Sequence, residues 1–157
     1  MFKLTLLVGL LAMTLFSTSA ATGAEADGQF EKLAARFVDA YPALGPVGAT
    51  QLGDHRFDDR LDDVSAKARD REAAFYRESL EQLSRIDRSR LSRANQIDAE
   101  LLRHHLESGL WQLTELEEWA WNPLVYTNLA GGAIYGLMAR EFAPLPQRLD
   151  SVAARLD

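Results

Sequence analysis

NQIDAELLRHHLESGLWQLTELEEWAW, from Asn95 to Trp121, is the stretch whose spacing decides the fold. Leu102, Leu106, Gly109, Leu113, Leu116 and Ala120 keep helical register, while Ile97, Leu101, His105 and Leu110 widen the same face. An apolar stripe with that period lies on one side of a helix; a strand would turn half of it toward water. Ser92 offers an N-cap, and Asn122-Pro123 ends the helix because the residue before proline is pushed out of the α region. The spacing predicts one long, unbroken helix between them.

The same periodicity extends outward in both directions. Upstream, Phe30, Leu33, Ala34, Phe37, Val38 and Tyr41 form one stripe, closed by Pro42. Pro42 to Gly53 carries two prolines and three glycines, room for at most one short helical turn. Ser65 caps a second helix reaching about Ile86, striped by Ala68, Phe75, Tyr76, Ser79, Leu80, Leu83 and Ile86. Downstream, after a loop, Leu129 to Phe142 reads as a glycine-containing helix. Leu145, Leu149, Val152 and Leu156 then mark a last helix still in stride at Asp157. No alternation of β-branched residues competes, so the fold class is all-α: amphipathic helices in an irregular bundle. The last stripe expects a partner surface, so the bundle reads as incomplete at its C-terminus.

The first two dozen residues have a different character. Met1-Phe2-Lys3 supplies a positive start, Leu4 to Phe16 an apolar run, and Ser17 to Ala24 a series of small residues. That is the architecture of a signal peptide, residues 1–24, too short to span a bilayer comfortably. Small residues at −3 and −1 fit cleavage near Ala20 to Ala24, which leaves 25–157 as an exported, periplasmic or secreted helical region. The chain has no cysteine, which removes a lipid anchor, disulfides and thiolate metal sites from consideration. No stable membrane anchor is expected. A net charge of −6, with no basic run, argues against nucleic acid as a partner.

The chemistry-bearing candidates are few. Between Asp54 and Asp63 lie five aspartates, His55, Arg56 and Arg60. The acids come as pairs split by Arg60-Leu61, unlike the alternate acids of a calcium loop, and the arginines oppose a cation. A polar connection whose Asp and Arg side chains pair or cap the next helix is the simpler reading. His104, His105 and Glu107 read HHLE, not H-E-x-x-H; adjacent histidines lie about 100° apart on a helix and do not share a metal from one face. No G-x-S-x-G elbow or phosphate loop occurs. Trp111, Trp119 and Trp121, with Tyr126 and Tyr135 behind, read as core and core-edge residues before they read as the floor of a ligand pocket.

The order of the pieces carries a resemblance. GATQLGDHRFDDRLDDVS is followed by LSRID, RLS, NQIDAELLRHHLE, WNPLVY and YGLMAREFAPLPQRLDSVAARL. From about Phe37 to Asp157 this resembles the N-terminal part of the bacterial family catalogued as domain of unknown function 885. Its members are long, exported, helical proteins that look like H-E-x-x-H zinc metallopeptidases. The resemblance implies zinc for the full-length family, held in a region that follows the part matched here. No catalytic residue and no metal ligand of that family maps onto this chain, so no cofactor is expected in it. The implied partner is the missing C-terminal catalytic region, with a peptide substrate in the full protein. By the same resemblance the N-terminal helices partly cover a cleft, and Asp54, His55, Asn122, Tyr126 and Tyr135 are the residues expected to line it. The function implied is the N-terminal helical portion of an exported metallopeptidase-like protein, inactive alone. The alternative is a free-standing exported helical module that binds a partner through its Trp/Tyr-rich end.

Overall fold

The computed structural model describes residues 23–157, which are helical throughout their regular parts, with no strand among them. The segment read as a signal peptide lies outside the described residues, apart from positions 23 and 24. Residues 23–40 are helical, here α1. A 3₁₀ turn (Tyr41–Leu44) leads into α2 (Pro46–Leu52), and a second turn (His55–Phe57) sits inside the acidic connection. Then follow α3 (Ala66–Ser84), α4 (Arg93–Trp111), α5 (Glu118–Trp121), α6 (Pro123–Met138) and α7 (Leu145–Leu156).

Two packing units share the chain. In the first, α3 and α4 fold back on one another across a short link, and α1 covers them. Ala26, Phe30 and Leu33 of α1 meet Leu83, Leu91 and Ala99 in one buried cluster. Caps hold the register: the Ser65 hydroxyl accepts from the Ala68 N–H at 3.2 Å, and that of Ser92 from Asn95 at 3.3 Å. Gly109 of α4 lies where a Cβ would stand 2.7 Å from the ring of Tyr76 in α3. The absence of a side chain there lets the two helices approach closely. In the second unit, α6 is the centre. Its Ala133 and Leu137 are buried beneath Val47, Ala49 and Thr50 of α2 on one side and α7 on another. Burial of a leucine such as Leu106 or Leu137, both fully enclosed, is worth about 2 kcal/mol.

Four expectations are corrected. The long helix does not run unbroken to Asn122: α4 widens into a π-helical turn at Gln112–Leu116, and Glu117 takes a left-handed conformation (φ 48°) before α5. Spacing alone missed the break because a π turn displaces the stripe by only a fraction of a turn. The loop expected before Leu129 is absent, since α6 starts at Pro123 with Asn122 as its cap, the arrangement proline at the first helical position favours. Of the three tryptophans, Trp111 and Trp121 are exposed, at 53% and 62%, and only Trp119 is half-buried, at the core edge. Pro42 to Gly53 also holds more helix than one short turn, the 3₁₀ turn plus the seven residues of α2.

The last helix is turned about a quarter-turn from ordinary amphipathic packing, with Val152 of its apolar stripe half-buried. Arg148 and Arg155 face inward and are nearly completely buried, while Leu145, Leu149 and Leu156 stand in solvent. The Arg148 guanidinium donates to the carbonyls of Leu137, Met138, Arg140 and Ala143 at 3.0–3.3 Å. It thereby satisfies the main-chain acceptors that the end of α6 leaves open.

Candidate functional site

The acidic connection is built around α2. Gly53, at φ 92°, ends that helix in the left-handed region and turns the chain back on it. Asp54 then caps the next turn, accepting from the Arg56 N–H, and its carboxylate pairs with the Arg56 side chain at 2.7 Å. Arg56 also reaches Asp39 at 2.6 Å, which ties the connection to α1. Asp54 sits well below the ordinary carboxylate range, chiefly because the Arg56 side chain donates to it.

Behind this pair a relay runs inward from exposed His55 to buried Asp58, Thr50 and Arg155. The His55 Nδ1 stands 2.9 Å from Asp58 Oδ2, and Asp58 Oδ1 accepts from the Thr50 hydroxyl at 2.6 Å. The Thr50 oxygen in turn accepts from Arg155 at 2.7 Å, and Arg155 also donates to the Ala133 carbonyl at 2.6 Å. Four segments, α2, the connection, α6 and α7, therefore meet on one hydrogen-bonded line. Burial pulls the Arg155 guanidinium below its ordinary pKa, opposed by the charges of Asp58, Asp62 and Asp59. Asp62 accepts from the Val47 N–H at 2.8 Å, capping α2, and burial raises its carboxyl above the usual range.

The carboxylate partner assigns the His55 proton to Nδ1 and leaves Nε2 as an acceptor in the neutral ring. The imidazole and Asp58 border a cavity of about 500 Å³ that Phe142, Arg148 and Ser151 also line. A histidine so held has the geometry of a general base. Ser151 donates to the Gln147 carbonyl of its own helix at 3.3 Å, not to His55. The relay is a structural joint.

The five residues expected to line one cleft are not brought together. Asp54 borders an apolar groove of about 880 Å³ between α1 and α2, whereas His55 faces the smaller cavity. Asn122 caps α6 by accepting from the Leu124 N–H at 3.0 Å and donates to Glu118. The Tyr126 hydroxyl donates to the Trp119 carbonyl at 2.6 Å, beside a third cavity of about 400 Å³. The Arg69 guanidinium lies over the Trp119 ring, 3.8 Å from its centre. Tyr135 is 74% exposed on the outside of α6. Sequence reasoning did not single out Thr50 or Arg155, and it weighed Asp58 and Asp62 only among the five aspartates of a polar connection. The one signal the sequence offered was the pair of arginines seven residues apart, two turns along the same side of α7 and about a quarter-turn from its leucine stripe.

Zinc has no seat here. Among the described residues no group of three or more His, Asp or Glu side chains is placed to hold a metal ion. His55 is committed to Asp58, and His105 lies edge-on to Phe37, Tyr41 and Tyr76. The zinc implied by family resemblance does not fit these residues.

The fold and the relay define an all-helical scaffold region stitched by buried polar groups. The chain belongs to the bacterial proteins of unknown function grouped as DUF885, whose family pattern matches residues 46–157. It is similar to a solved structure from Shewanella oneidensis, described as a candidate lipoprotein of unknown function. The TM-score is 0.75 at 31% identity, over 82% of this chain and 23% of that one. The chain thus spans about a quarter of that protein's length. No curated protein matches it. Among the described residues no helix is long and apolar enough to cross a membrane.

Proposed function

We propose that this chain is the N-terminal helical portion of an exported, zinc-metallopeptidase-like protein of unknown substrate, and that it has no hydrolytic activity by itself. The coverage carries the reading: most of this chain matches less than a quarter of the solved relative. The residues present agree with it. The 157 residues contain no H-E-x-x-H, and the described ones assemble no metal-ligand group and no activated nucleophile. The part played by these helices is to form a wall around chemistry supplied elsewhere in the full-length protein. Export follows from the positive, apolar and small-residue order of positions 1–24.

Peptide hydrolysis with and without a chelator tests this. The purified chain is expected to cleave no peptide and to retain less than one zinc in equilibrium dialysis. The intact Shewanella oneidensis relative is expected to bind zinc and to lose peptidase activity on chelation. Chelator-sensitive cleavage by the chain alone, or an intact relative indifferent to chelation, overturns the proposal.

A further inference from the structure

Helix α6 contains no charged residue in any of its sixteen positions, PLVYTNLAGGAIYGLM. A helix apolar on every side belongs in an interior. Here only Ala133 and Leu137 are buried. Leu124, Asn128, Gly131, Tyr135 and Met138, spaced i, i+4, i+7, i+11 and i+14, form an exposed outer row. Leu124 and Tyr135 are 61% and 74% exposed. Nothing lies within 4 Å of where a Gly131 Cβ would stand, so the middle of that row is a notch into which another helix can settle closely. Beside it, α7 buries Arg148 and Arg155 and leaves Leu145, Leu149 and Leu156, about a quarter-turn round the helix, half-exposed or more. Two adjacent helices therefore present apolar rows to solvent.

We infer that the outer rows of α6 and α7 form an internal docking face, covered by helices of the family-length polypeptide beyond the quarter spanned here. This inference rests on the partial-protein reading above. The occupant follows from the coverage of the solved relative, more than three-quarters of which has no counterpart in this chain. A lipid surface fits poorly. Glu117, Glu118, Glu141, Asp150 and Asp157 flank the face, and two of its three arginines, Arg148 and Arg155, are buried, so no basic rim meets anionic headgroups.

Glutamate substitution in two settings tests the face. In this chain, Tyr135→Glu and Leu149→Glu place charges in water, and Tm is expected to move by no more than about 2 °C, the scale of a surface change. In the intact Shewanella oneidensis relative, glutamate at the positions aligned with Tyr135 and Leu149 buries an unpaired charge, and Tm is expected to fall by about 5 °C or more. Loss of soluble relative counts the same way, provided that glutamate at the position aligned with exposed Arg77 leaves it soluble. Equally small shifts in both settings overturn the inference. So does a dimer of this chain that Tyr135→Glu converts to monomer, or binding of this chain to anionic vesicles that Leu149→Glu abolishes. These readouts are independent of peptidase activity, so the face can fail while the metallopeptidase reading stands, and the reverse.

Discussion

The imidazole of His55 lies flat on the ring of Phe142, with centroids 3.7 Å apart and planes 14° from parallel. The contact joins the acidic connection to the segment entering α7. The same imidazole is held from its other side by Asp58. Stacking of this kind contributes about 1 kcal/mol beyond burial. A double-mutant cycle of His55→Ala and Phe142→Ala, read by urea denaturation, is expected to show a coupling energy of about that size. Additive single effects would mean that the two rings are neighbours without being partners.

Gly109 is predicted to be intolerant of even a methyl group. The Tyr76 ring sits 2.7 Å from the position of an added Cβ, and Tyr76 is buried with its hydroxyl on Glu72. Gly109→Ala is therefore expected to cost about 1–3 kcal/mol, despite the better helix propensity of alanine. Tyr76→Leu shrinks the obstacle, so the double variant should lose less than the sum of the singles. Thermal melts of the four proteins decide it.

Arg148 should be irreplaceable by lysine. Its Nη1 faces the carbonyls of Leu137, Met138 and Arg140 and its Nε that of Ala143, at and just beyond the end of α6, and an ammonium group cannot hold donors at both places. Arg148→Lys is expected to cost about 2 kcal/mol and Arg148→Met rather more, because buried acceptors are left open. Amide exchange should quicken first at the C-terminal turn of α6; uniform exchange across the helix would count against this account.

Acid is expected to loosen the start of α3. Asp63 is held down at about 2 by hydrogen bonds from Ser65, first from its hydroxyl and then from its N–H, and by Arg71. A carboxyl whose folded pKa is depressed contributes stability above its unfolded value, and that contribution is lost as pH falls toward the folded one. The window therefore runs from about pH 4 down to about pH 2. Asp63→Asn should flatten that part of the stability–pH curve, and an unchanged acid limb would refute the assignment.

The helical class was legible because period-3.6 stripes and serine caps act locally: Ser65 and Ser92 cap α3 and α4 where the sequence places them. What escaped was long-range. The break at Gln112–Leu116 leaves no glycine or proline as a marker, and only the backbone of Glu117 records it. Asp58 and Arg155 lie almost a hundred positions apart, so nothing in the spacing of either foretells that Thr50 joins them. The acidic connection was legible as a pairing and capping segment at Asp54 and Asp63, but not in the reach of Asp62 back to α2 or as the cover of a relay. The cleft residues were chosen by resemblance, and local pattern does not encode which of them share a surface.

The orientation of α7 is fixed by directional bonds rather than by grease. Arg148 and Arg155 clasp main-chain oxygens of α6, so the helix is clamped in azimuth while its leucines remain wet. Alignment and adhesion are thereby assigned to two neighbouring sides of one helix, about a quarter-turn apart. Changes along the leucine side can retune what the helix holds onto without letting it roll.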